Sequence, residues 1–125
     1  MKAISIVAPA GQNIASGKKT LEIRKWYPDL SDNEDLLIIE NQHYLLKDGD
    51  EEIGTSVAIV KIRNIRPFEE QDIEAACASY FESGWLAWEL TDVRCIETPI
   101  ELIAKRKIYE VDWEPSLTIE AKRNE

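Results

Sequence analysis

At 125 residues the chain has the length of one ordinary domain and leaves no room for a second independent core. A hydrophobic fraction of 44% with four tryptophans can build that core without staples, and the apolar runs interrupting the 31% of charged residues exclude disorder for most of the length. The net charge of −9 argues against tight non-specific binding to a polyanion.

Pro9 and Gly11 break the N-terminal apolar run too early for a secretory signal peptide. No stretch approaches the ~20 apolar residues that a membrane span requires. Cys77 and Cys95 lack the paired spacing of a metal knuckle or redox motif, so they read as reduced thiols of a cytoplasmic protein. The charge is uneven. Lys18, Lys19, Arg24 and Lys25 form one basic group, Lys61, Arg63 and Arg66 a second, and Lys105, Arg106 and Lys107 a third. Acids gather at 29–35, 48–52 and 69–74. Each basic group taken alone reads as a solvated face, while together they allow a locally basic site on an acidic body.

In chain order, the β-branched residues of Ala3 to Val7 predict a first strand. Pro9 suits the start of a helix carrying Ile14 and Ala15, and Gly17 is placed to end it in the left-handed conformation. Thr20 to Arg24 alternates, with Leu21 and Ile23 on one face and Thr20, Glu22 and Arg24 on the other, the period of a half-buried strand. Residues 27–35 read as a loop. Leu36 to Ile39 is a continuous apolar run and predicts a central strand, and Thr55 to Ile65 gives the longest strand signal. Between them 41–54 is polar, with His43 a loop residue that has no metal-ligand partner. Ile73, Ala76, Cys77 and Tyr80 are spaced for a helix over Glu69 to Tyr80, whose early acids suit the helix dipole. Trp85 to Ile96 and Ile108 to Trp113 complete the strands. Within the former, Trp88 shares a face with Leu86 and Leu90 and reads as core, whereas Trp85 points the other way. The expected organisation is a domain over 1–113 and a polar tail over 114–125. The class is α+β, a small mixed β-barrel of five or six strands with two or three short helices. Leu21, Ile23, Leu37, Ile39, Val57, Ile59 and Trp88 are expected to point into one core.

The stretch Gly17-Lys18-Lys19-Thr20-Leu21-Glu22-Ile23-Arg24 resembles the signature of the ASCH family (activating signal cointegrator homology domains), in which a glycine, a lysine, a glutamate and an arginine are fixed. Here they are Gly17, Lys19, Glu22 and Arg24. The flanks extend the likeness: Ser5-Ile6-Val7 with Pro9 before the motif, Trp26 after it, and the tryptophan-bearing Gly84-Trp85-Leu86-Ala87-Trp88-Glu89-Leu90 further on. The similarity spans roughly residues 3 to 113. It implies a PUA-like fold with a cleft beside the first helix, and RNA or a modified nucleoside as partner.

Glu22 and Arg24 lie two apart on a strand and share a face, so a carboxylate acceptor and a guanidinium fork could read one nucleobase. The bland alternative is an exposed ion pair contributing about 0–1 kcal/mol. Ligand-binding candidates are Lys19, Glu22, Arg24, Trp26 and Trp85, with no metal and no cofactor expected. A Glu22→Ala variant is expected to lose ligand while keeping its unfolding temperature. The other function class is a small hydrolase acting on a nucleoside or RNA through Lys19 and Glu22. Some bacterial ASCH relatives are amidohydrolases that deacetylate N-acetylcytidine, and their catalytic lysine matches Lys19. Their threonine nucleophile falls where this chain has Glu22, and the position of their later acid is left open among Glu69, Glu70, Asp72 and Glu74. Ribonuclease chemistry is a third option, for which the sequence offers no acid-base pair.

Overall fold

Six residues of alternating character form strand β1 (Lys2–Val7), with Ile4 and Ile6 buried on one side and Ala3 on the other. The computed structural model describes residues 1–113, and the expected tail over 114–125 lies outside the described residues. Helix α1 (Ala10–Ala15) follows Pro9, buries Ile14, and gives way at Gly17, whose φ of 85° only glycine adopts at no steric cost. Then come β2 (Leu21–Arg24), β3 (Leu36–Asn41) and the sixteen-residue β4 (Glu52–Pro67). A short 3₁₀ turn (Glu70–Asp72) leads into helix α2 (Ile73–Ala76), and β5 (Leu86–Cys95), β6 (Glu101–Ala104) and β7 (Ile108–Glu110) complete the chain.

The class is α+β. The expected barrel requires correction, because the seven strands form an open sheet ordered β2-β5-β4-β3-β1-β7, with β6 paired to the start of β4. β1 and β3 run parallel and the remaining pairs are antiparallel. The seventh strand is β6, whose exposed Glu101 and Ile103 obscure any alternation in the sequence. No backbone ladder joins β2 to β1. The Arg24 side chain crosses that seam instead, donating from Nη2 to the Ser5 carbonyl oxygen at 3.3 Å.

The single expected core also requires correction. β3 is buried on both faces, which explains its unbroken apolar run. Its Leu36 and Ile38 join Val57 and Trp88 in one cluster, while Leu37 and Ile39 join Ile59 in a second on the other face. A bulge between Ile38 and Ile39 in the ladder with β4 lets adjacent Val57 and Ala58 enter the same cluster. Leu21 belongs to a third cluster with Phe68, Ala76 and Ala87, against which Ile23 and Trp85 pack.

The helix expected over Glu69 to Tyr80 is shorter. Cys77 enters the left-handed region at φ 52°, its N–H bonds the Glu74 carbonyl, and that of Ala78 bonds the Ile73 carbonyl. That pair of bonds closes a helix C-terminus. No described helix is long and apolar enough to cross a membrane.

Candidate functional site

Gly17 starts the site, because its left-handed turn redirects the chain out of α1. The Lys19 N–H then bonds the Asn13 carbonyl and the Thr20 N–H bonds the Ala75 carbonyl, each at 2.9 Å. The first ties the turn back to α1, and the second fixes β2 against the closed end of α2. Lys19 is only 6% exposed, and its Nζ donates to the Ala76 carbonyl oxygen at 2.6 Å. A cation at helix-terminal carbonyls meets the negative end of the peptide dipoles.

The same ammonium lies 3.4 Å from Glu22 Oε1, while Arg24 Nε donates to Glu22 Oε2 at 2.7 Å. Glu22, 7% exposed, is thus held between two cations. This is a coupled buried unit rather than the solvated edge pair that spacing alone allows. Its burial also changes the expectation that Glu22→Ala leaves the unfolding temperature untouched, since removing the carboxylate strands a buried ammonium.

Lys19, Glu22 and Arg24 line a cavity of about 470 Å³ at the seam between β2 and β1, and Trp26 lines it with them. Trp26 packs edge to face on the fully buried Trp88, with centroids 5.1 Å apart and planes at 82°. The Arg24 guanidinium and the Lys107 ammonium lie 5.9 and 5.8 Å from its ring centroid. Trp85 is placed elsewhere. It stacks on Phe68 at 6.4 Å, contacts Tyr80, and carries Lys25 at 5.6 Å, away from the cavity lining. Glu69, Glu70, Asp72 and Glu74 are also absent from that lining, and Asp72 instead binds Arg66 through both carboxylate oxygens.

Several lining residues are not assigned to a site by the sequence. Asn41, His43, Tyr44 and the third basic group, Lys105 to Lys107, all reach this cavity. His43 Nδ1 lies 2.5 Å from Glu52 Oε1, and Asn41 Nδ2 donates to Glu52 Oε2 at 2.9 Å. The His43 contact and the backbone N–H groups beside it hold the Glu52 carboxyl down at about 2. Only the basic run itself was visible in the sequence; its neighbourhood is set by the β6–β7 turn. The second basic group lies elsewhere and is neutralised, Lys61 by Asp35, Arg63 by Glu89, and Arg66 by Asp72 and Glu89. Among the described residues, no group of three or more His, Cys, Asp or Glu side chains is arranged to hold a metal ion.

The profile of the ASCH domain family matches residues 4–100. The chain belongs to the ASCH domain family. Among solved structures, the ASCH protein of Zymomonas mobilis superposes with a TM-score of 0.67 at 18% identity, covering 93% of this chain and 90% of that one. A tyrosine-to-phenylalanine mutant of that protein gives 0.60 at 16% identity, over 93% of each chain. A serine-to-alanine mutant gives 0.61 at 16%, over 93% of this chain and 91% of that one. At such identities the likeness is one of fold. No curated protein matches. In this ASCH domain Lys19, Glu22 and Arg24 thus line one cavity, and Gly17 supplies the turn that leads the chain to them.

Proposed function

We propose that this ASCH domain binds a nucleobase, presented by RNA or by a modified nucleoside, in the cavity between β2 and β1. The observation that carries the reading is the convergence of Lys19, Glu22 and Arg24 beside Trp26 on one concavity of about 470 Å³, within the usual range for small-molecule sites. The hydrogen-bonding inventory suits a base edge. Arg24 spends Nε on Glu22 and one Nη2 proton on Ser5, leaving three N–H donors, while the Glu22 oxygens keep lone pairs beyond those turned to the two cations. Trp26 supplies an aromatic surface, and base–aromatic stacking contributes about 1–3 kcal/mol per base in single-strand binders. A cytoplasmic setting belongs to the same reading, since Cys77 and Cys95 are unpaired thiols.

The competing reading is a small hydrolase. His43, oriented by Glu52 on the cavity lining, has the geometry of a supported general base, and Lys19 could stabilise developing charge. Glu22 is less suited to that work, being fixed between two cations where the amidohydrolase relatives carry a threonine nucleophile.

Calorimetric titration with nucleosides, modified nucleosides and short RNAs tests the proposal. Binding is expected, weakened about tenfold or more by Arg24→Gln while the unfolding temperature stays within a few degrees. N-acetylcytidine incubated with the protein should release no cytidine on chromatography. Turnover that disappears in a folded Lys19→Ala or His43→Ala variant would overturn the binding-module reading.

A further inference from the structure

The β6–β7 turn brings Lys105, Arg106 and Lys107 to the cavity already lined by Lys19, Glu22 and Arg24. Five cations then face one carboxylate, on a chain whose net charge is −9. The six divide by burial. Lys19 and Glu22 are buried and pair with each other, so they form the floor, whereas Lys105 and Lys107 are exposed and form the rim.

The rim cations differ in what holds them. Arg106 Nη1 donates to Asp48 Oδ1 at 2.6 Å, and Lys105 Nζ lies 3.7 Å from Glu51. Both acids stand on the β3–β4 loop, and the Asp48 side chain is 95% exposed. Lys107 has no carboxylate partner among the described residues. Its backbone is left-handed at φ 59°, and its ammonium rests 5.8 Å from the Trp26 ring centroid. A cation so placed stands beside the aromatic surface on which a base would stack.

We infer that the β6–β7 turn is a phosphate subsite, so that the ligand is a nucleotide unit whose base enters the floor of the cavity and whose phosphate is held at the rim by Lys107 and Arg106. This rests on the nucleobase reading of the same cavity and narrows it to phosphorylated ligands. The chemistry follows from the contrast between floor and rim. A nucleoside is neutral and satisfies only the floor, leaving the rim cations facing water. A phosphate oxygen accepts charge-assisted hydrogen bonds from an ammonium and from a guanidinium fork. Asp48 competes for the same guanidinium, so it lowers the gain that phosphate brings. Because the rim is exposed, that gain must shrink as salt rises.

The test is calorimetric titration of the four ribonucleosides, their 5′-monophosphates, and dinucleotides with one internal phosphodiester and no terminal phosphate. The protein is compared with Lys107→Gln and Asp48→Asn. In the parent, the best-bound nucleoside should gain about tenfold or more from phosphate. That gain, read within each protein as the ratio of nucleotide to nucleoside affinity, should fall in Lys107→Gln and rise in Asp48→Asn. A merely structural role for the turn would not move the two variants in opposite directions. A gain with monophosphates alone assigns the subsite to a terminal phosphate, and an equal gain with dinucleotides assigns it to an RNA backbone. Equal affinity for nucleoside and nucleotide in the parent overturns the subsite and leaves the nucleobase reading standing. If no nucleoside, nucleotide or dinucleotide binds, both fall.

Discussion

Glu22 carries more of the site than its place in an eight-residue pattern suggests, because each of its oxygens faces a different cation. Lys19 in turn is tied to the Ala76 carbonyl, far along the chain, so the three residues behave as one unit with the end of α2. Replacing Glu22 by Gln keeps the shape and removes the charge. Lys19 then remains buried with one carbonyl partner, and breaking a buried pair from one side is strongly destabilising. A loss of about 2–4 kcal/mol in unfolding free energy is expected, measured by urea denaturation. Arg24→Gln should cost less, because Arg24 is only half-buried. The fixed residues of the motif and their shared strand face were legible in the sequence. What the sequence did not expose was burial. A glutamate and an arginine two apart on a strand read as a surface pair until Lys19 and the Ala76 carbonyl close over the glutamate.

At the level of elements, β4 organises the sheet, pairing with β3, β5 and β6 along sixteen residues. Gly54 lies where β4 meets both β3 and β6. A methyl group there would sit 2.6 Å from Ile39 Cγ2 and 2.9 Å from the Glu40 carbonyl oxygen. The second of these is backbone and cannot rotate away. Gly54→Ala is therefore expected to destabilise by about 1–3 kcal/mol through overpacking, seen as a lower thermal midpoint. Strands β1 to β5 and β7 were readable from alternation or from apolar runs. β6 was not, because its single fully buried residue is Ala104. The α2 segment was overextended because apolar spacing continues past Cys77, where the left-handed turn ends the helix. Nothing local to the sequence marks a cysteine as the residue that turns.

At the scale of the whole molecule, acid sensitivity follows from where the carboxylates are paired. The Arg94 guanidinium, with Lys61 assisting, holds Asp35 at about 2 against an ordinary 3.8. His43 and neighbouring backbone N–H groups hold Glu52 at about 2 against 4.5. Depressed folded-state values mean that the stabilisation is present above 4.5 and is lost as pH falls from 4.5 toward 2. Thermal midpoints recorded across that window should fall, and Asp35→Asn should flatten the part of the decline below pH 3.8. Charge repulsion adds to the decline, because below the isoelectric point near 4.7 the chain is net positive and its charge grows as pH falls. Class and approximate strand content were legible from composition and period. Closure of the sheet and division of the core were not, because both depend on which edges meet. The bulge opposite Ile38 and Ile39, and the seam bridged by a side chain rather than a ladder, are events of tertiary pairing.

The seam has one more consequence, in how the free energy of local opening is distributed over the fold. β2 has a backbone partner along one edge only, β5, and it is four residues long. Ser56 to Val60, by contrast, lie buried in the middle of β4 with strands on both sides. Regions with few supporting contacts open at low cost, while central strands open only when the whole domain does. The wall that carries Glu22 and Arg24 therefore belongs to the part of the molecule that yields first. A ligand bridging β2 and β1 would supply the cross-seam contact that the ladder omits, so binding and the integrity of that edge are two readings of one equilibrium.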